Sequence, residues 1–202
     1  ARYHWQRMYS LPTLVNALRN VGGYWQKDDH DVLSDDAWPA LRDKKMEPLT
    51  FAQGQRIFRE QVPAPGAGRP MYRTVRVGAD VELWLPESRD YRTPNTDPDG
   101  PGKTIWGAEQ KKWLMTSLRA SRATWKIMVN PNPIVGPDRK TKNDNHSNPG
   151  FAHESREIRE FLKNNFDGNV ISVCGDRHWQ YHSVDPETGL TVAELAARLA
   201  AS

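Results

Sequence analysis

Cys174 is the only cysteine in this sequence, which excludes an intrachain disulfide and any metal site of the CxxC type. Long hydrophobic runs are also missing: no apolar stretch approaches the roughly 18 residues that a membrane-spanning helix requires. Nor does one sign of charge dominate. Lysine and arginine number 28 against 25 aspartate and glutamate, a net of +3, too small a surplus to point to a nucleic-acid partner. The opening ARYHWQRMYSLPTLVNALRN lacks the charged, apolar, then small-residue layout of a signal peptide, and no initiator methionine stands before Ala1. It enters what reads as the middle of a domain, so the expectation is a piece of a longer one. Internal repeats and low-complexity tracts are absent as well.

What is present suits one domain of ordinary size: 202 residues, 37% apolar and 26% charged, with 15 prolines and 14 glycines that imply many loops. Leu14, Val15 and Leu18 predict a short helix over 11–20, ended near Gly22-Gly23. Thr50 is placed to cap a helix over 51–61 that carries Phe51, Ile57 and Phe58. Residues 75–85 read as strand, with a turn at Gly78-Ala79-Asp80, and Val81, Leu83 and Leu85 alternate there with Glu82 and Trp84. Further helices are predicted over 108–119 and 153–164, with short apolar strands at 125–129 and 169–174. The segments 62–68, 92–103 and 136–150 read as loops. Helices alternating with short strands whose ends carry polar residues indicate a layered α/β domain, in which ligands sit outside the carboxyl ends of the strands.

Three polar clusters carry candidate chemistry: Asp28-Asp29-His30-Asp31, Asn130-Pro131-Asn132-Pro133 and Gly175-Asp176-Arg177-His178. Carboxylates, imidazoles and amide oxygens at strand ends are the donors that divalent and trivalent cations take. In extended backbone Asp176 and His178 point to the same side, as would Asp29 and Asp31, leaving His30 free to donate a proton. Each cluster also has a plain structural reading. Four polar residues in a row commonly form a solvated turn or a helix cap, and Asn-Pro-Asn-Pro commonly forms a turn. Trp84, Trp106 and Trp125 are expected in the core.

Four stretches together resemble the PhoD-like (alkaline phosphatase D) metallophosphatase family. Residues 24–36, YWQKDDHDVLSDD, resemble its D-D-H-D motif. Residues 81–92, VELWLPESRDYR, resemble its strand ending in R-D-Y-R. Residues 106–114, WGAEQKKWL, resemble its G-x-E-Q-x-x-W-L helix start, and residues 173–180, VCGDRHWQ, resemble its G-D-R-H-W signature. The resemblance implies a metallophosphoesterase-like layered α/β sandwich of two packed sheets, here the C-terminal portion of the domain and incomplete at both ends. It implies an iron and calcium centre, Fe3+ and Ca2+, acting on phosphate monoesters or diesters, and, as a piece of the domain, this chain alone is expected to have reduced or no activity. By that analogy Asp29, Asn132 (or Asn130), Asp176 and His178 would hold metal. Asp29 and His30 would be catalytic, with His30 protonating the leaving oxygen. Arg177, His146 and His153 would contact substrate, and a solvated loop is the plain reading of Arg139, Lys140 and Lys142.

The resemblance covers residues 1–190. Thr191 and Glu194 have capping-box spacing, and Val192, Leu195 and Leu199 share a helical face, so 191–202 is expected to be a helix departing from the family pattern. The resemblance also implies an extracytoplasmic location. Two other readings compete with a phosphate-ester hydrolase: a non-catalytic remnant or binding protein that keeps half of a metal site, and a nucleic-acid binder. The last is the weakest, because basic and aromatic residues do not interleave along one element.

Overall fold

The computed structural model describes residues 1–66, 68–178 and 180–194. Two short helices, α1 (Arg2–Tyr9) and α2 (Pro12–Leu18), open the chain, and α1 carries no apolar periodicity that would announce it in the sequence. Helix α3 (Phe51–Gln61) starts where Thr50 predicts. The Thr50 hydroxyl accepts from the Gln53 amide at 3.3 Å, and the Gln53 side chain accepts from the Thr50 amide at 2.8 Å. This reciprocal cap satisfies two otherwise unpaired donors and is worth about 1 kcal/mol.

The hairpin β1 (Arg73–Val77) and β2 (Val81–Leu85) turns at Gly78, whose φ of +66° suits a residue without a β-carbon. Helix α4 (Gly107–Ala120) leads to β3 (Trp125–Asn130). A 3₁₀ turn (Pro149–Phe151) and α5 (Ala152–Asn165) lead on to β4 (Val170–Cys174), followed by β5 (Tyr181–Val184) and β6 (Thr191–Glu194). These strands form one six-stranded sheet in the order β1-β2-β3-β4-β6-β5. Strands β2, β3, β4 and β6 run parallel to one another, and β1 and β5 pair antiparallel at the two edges. The fold is therefore the mixed α/β kind expected. The second sheet that the resemblance implies is not among the described residues.

The main core packs α4 and α5 against the sheet through Trp84, Leu114, Leu118, Met128, Ile158 and Phe161, among others. Two expectations change here. The alternation over 81–85 is lost at its carboxyl end, where Trp84, core as expected, and Leu85 are both buried, with the Trp84 indole donating to Ser117 at 2.9 Å. A parallel strand covered on both faces loses its alternation, and this one is covered at its carboxyl end. Trp106 is core as expected, whereas Trp125 is 45% exposed. The second change is at the chain's end. Residues 191–194 are not the first turn of a helix but strand, paired with β4 on one side and β5 on the other. Two rows of ladder hydrogen bonds outweigh a local capping pattern. The rest of the expected helix, 195–202, lies outside the described residues.

Candidate metal centre

The carboxyl ends of β2, β3 and β4 point to one end of the sheet, and the segment 24–31 is fastened across them. Its anchor is Gln26, whose side-chain nitrogen donates to the carbonyls of Pro86 at 2.7 Å and Val129 at 2.8 Å, just beyond β2 and within β3. Lys27 is buried behind it against Glu87 and Asp90. The two residues that follow are thereby delivered to the strand ends. Asp28, Asp29 and Asp176 each offer a carboxylate oxygen, and these oxygens lie within 4.8 Å of one another.

Asp29 is oriented by local backbone. One of its oxygens accepts from the His30 amide at 2.7 Å and the other from the Asp36 amide at 2.8 Å. The amides of Val32 and Leu33 bond back to the Asp29 carbonyl at 3.0 and 2.9 Å. That turn is why the expected pairing of Asp29 with Asp31 does not occur. The backbone is not extended, Asp31 instead accepts from the Asp28 amide at 2.8 Å, and Asp28 becomes the partner of Asp29.

A similar correction applies after β4. Asp176 and His178 have φ of +80° and +64°, so neither is extended. Left-handed backbone at two non-glycine residues costs on the order of 1–3 kcal/mol each and is kept only where surrounding contacts enforce it. Asp176 turns inward to the acidic group. His178 is exposed, outside the set of converging oxygens. Asn132 is buried, and its side-chain nitrogen has no hydrogen-bond partner. Because the two ends of an amide are interchangeable by a half-turn, either the nitrogen or the oxygen of Asn132 can occupy that orphan position. Asn130 donates across to the Ser172 hydroxyl at 2.6 Å and so ties β3 to β4.

His30 lies at the rim, with its side chain 71% exposed and 3.8 Å from Asp35. Of the residues expected to contact substrate, His146 is buried beside Trp106 and bonded to Glu154 at 3.0 Å. His153 is half-buried on the first turn of α5, in the groove that this helix forms with Met115 and Arg119 of α4. Arg177 is buried, its terminal nitrogen 2.9 Å from Asp138, 3.2 Å from Asp144 and 3.3 Å from Asp176. These placements make Arg177 and His146 partners of buried carboxylates, and they give no support to contact with substrate. Lys142, in the loop expected to be solvated, reaches Asp35 and Asp36 instead.

Sequence reasoning assigned no role to Arg89 and Asp144, both wholly buried. Arg89 donates to Asp28 and lies 3.6 Å from both Asp29 and Asp144. It stands in the R-D-Y-R stretch, which is the signal that could have found it. Asp144 lies in a polar loop and carries no such signal.

Across the cluster, the carboxylates of Asp28, Asp29, Asp138, Asp144 and Asp176 face the guanidiniums of Arg89, Arg92 and Arg177, so negative charge is in excess. The excess falls on Asp176. Burial, and after it the charge of Asp28, push its carboxyl up to about 8. Burial also works on Asp144, but Arg89 and Arg177 outweigh it and hold that group below the usual carboxylate range. Three converging carboxylates, one of them poorly compensated and with an oxygen that lacks a hydrogen bond, are a donor set for a hard cation.

Three comparisons bear on this geometry. A family model described as PhoD-like phosphatase matches residues 2–197. Alkaline phosphatase D of Bacillus subtilis (strain 168) is 24% identical over 140 residues, 58% of this chain and 23% of that protein. A solved structure of PhoD superposes with a TM-score of 0.69 at 20% identity, over 83% of this chain and 38% of that one. At that identity the likeness speaks for the fold. The chain spans well under half the length of either relative.

Proposed function

Because this chain belongs to the PhoD-like phosphatase family, we propose that it carries a metal-assisted site for the hydrolysis of phosphate monoesters or diesters. The observation behind this reading is the convergence of Asp28, Asp29 and Asp176 within 4.8 Å at the strand ends. In the proposal these three carboxylates and Asn132 hold the cation, and His178, exposed and outside the converging oxygens, is not among the donors. Iron(III) and calcium are the ions nominated, on resemblance alone. A cation bound there would draw the phosphoryl oxygens and lower the pKa of water toward neutrality.

The chain's own side chains do the rest. Asp29 is fixed by two backbone amides, so it presents its oxygens without reorganisation. His30, exposed at the rim, is the group available to give a proton to the leaving oxygen. Ester substrates reach the site from the solvent side, where His30 and Asp35 stand. No described helix is long and apolar enough to cross a membrane, and the extracytoplasmic location proposed rests on the resemblance.

The test is turnover of nitrophenyl phosphate and its bis-ester with iron, calcium, manganese or zinc supplied in turn. Activity should depend on the added cation and fall at least a hundredfold in Asp29→Asn and in Asp176→Asn, each of which removes one donor charge without removing bulk. Activity that survives chelation or persists in the double variant overturns the proposal. Cation binding without turnover would instead support the reading of a metal-binding remnant.

A further inference from the structure

Asp144 belongs to a loop with the composition of a solvent-facing turn, yet it is 0% exposed. Its backbone is pinned independently of its charge: the Asn148 side chain accepts from the Asp144 amide at 2.9 Å, and Arg92 donates to the Asp144 carbonyl. Its carboxylate is then the meeting point of guanidiniums from two other loops. One oxygen faces the Arg89 terminal nitrogen at 3.6 Å, and the other accepts from Arg177 at 3.2 Å. Each of those arginines goes on to the acidic group. Arg89 holds Asp28 and faces Asp29, and Arg177 lies against Asp176. A path therefore runs from Asp28 and Asp29 through Arg89, Asp144 and Arg177 to Asp176. It closes on itself where the oxygens of Asp28 and Asp176 approach each other.

We propose that Asp144 is the positioning residue of the centre, setting the separation of the carboxylates on segment 24–31 from the one after β4. The need is electrostatic. Three carboxylates brought this close repel one another, and the two guanidiniums drawn in to oppose them also repel each other in a site that excludes water. A negative charge placed between the guanidiniums relieves the second repulsion and leaves both free to restrain the first. Asp144 touches neither substrate nor cation in this role. It acts through Arg89 and Arg177, as the outer partners of metal ligands do.

The inference rests on the reading of the site as a cation centre, so its test has two readouts. The first is calorimetric titration of the protein with Ca2+ and with Mn2+, comparing wild type, Asp144→Asn and Glu154→Gln. Glu154 serves as a control because it is an equally buried carboxylate that holds the same loop through His146 but is bonded to Thr104 and Ile105 and to neither Arg89 nor Arg177. Asp144→Asn should weaken the affinity about 10–100-fold, while Glu154→Gln lowers the melting temperature and leaves affinity within about twofold. Equal weakening by both, or none by Asp144→Asn, overturns the proposal.

The second readout is amide hydrogen exchange without added cation. Asp144→Asn should speed exchange in 28–31 and in 175–178 together, by about tenfold or more, with α4 and α5 unchanged. Should wild type take up neither ion, the cation reading falls and the exchange data alone decide the inference. Faster exchange in one loop only, or in neither, overturns it.

Discussion

His30 and Glu154 show how differently a titratable side chain is used at the rim and in the interior. His30 is mostly exposed and close to Asp35, a placement suited to passing protons with solvent. If it protonates the leaving oxygen, His30→Ala should cut turnover of alkyl phosphates about 10²–10⁴-fold while nitrophenyl phosphate, whose leaving group departs unprotonated, loses far less. Equal losses on the two substrates would make His30 an anchor and not an acid. Glu154 is sealed beneath the loop 99–106. It accepts from the Thr104 hydroxyl, the Ile105 amide and His146. Burial raises its pKa, but the His146 hydrogen bond and the others outweigh burial and hold it down at about 2. A depressed acid stabilises the fold above its unfolded pKa, near 4.5, and that contribution is lost as pH falls toward 2, roughly 3 kcal/mol in all. Urea unfolding of wild type and Glu154→Gln should therefore converge in stability between pH 5 and pH 2. Curves that stay parallel would show that the charge on Glu154 contributes nothing.

Among the helices, α3 packs directly on the turn that orients Asp29. The contact is at Gly54, where a β-carbon would sit 1.7 Å from the Val32 carbonyl oxygen. In an exposed helix, glycine to alanine gains about 1 kcal/mol. Here the collision is with backbone, and the backbone belongs to the turn that orients Asp29. Gly54→Ala should therefore destabilise by about 1–3 kcal/mol and lower cation affinity as well, read from the urea midpoint and from calorimetry. A stabilised variant would mean that the turn can move away at no cost. Gly136 makes a comparable approach further along the chain. Its φ is +130° and a β-carbon there would strike the Tyr181 ring, so the absence of a side chain lets the loop after β3 approach β5.

For the molecule as a whole, the proposed ligation would be coupled to folding. Asp28 and Asp29 come from an irregular segment and Asp176 from a strand end nearly 150 positions later, so the unfolded chain has no site. A cation that binds only the folded form stabilises it by about 2.7 kcal/mol at a hundred times its dissociation constant. Thermal unfolding should shift upward with Ca2+ or Fe3+, return to baseline with a chelator, and show no shift in the double variant Asp29→Asn, Asp176→Asn. An equal shift in wild type and double variant would locate the ion elsewhere. The sheet carries an antiparallel strand at each edge, β1 and β5, with the parallel strands that feed the site between them.

Local pattern was enough for helices α3, α4 and α5, the β1–β2 turn, and strands β3 and β4. Their spacing of apolar residues and the Thr50 cap are properties of neighbours in the chain, and such signals survive without knowledge of the fold. The strand running into Gly175-Asp176 was legible for the same reason. Strands β5 and β6 were not, because a strand placed by its partners need not look like one alone, and residues 191–194 carry a helix-like cap pattern. The inward turn of Asp176 with His178 left outside depends on left-handed backbone that no local signal announces. The choice of Asp28 over Asp31 depends on a turn sealed by Val32 and Leu33. The burial of Arg89, Asp144 and Arg177 as one charged network depends on contacts between residues 61 and 33 positions apart. Charges form such a network only when the fold removes water from around them. Residue types therefore marked the candidate site, and tertiary packing decided which charges face one another.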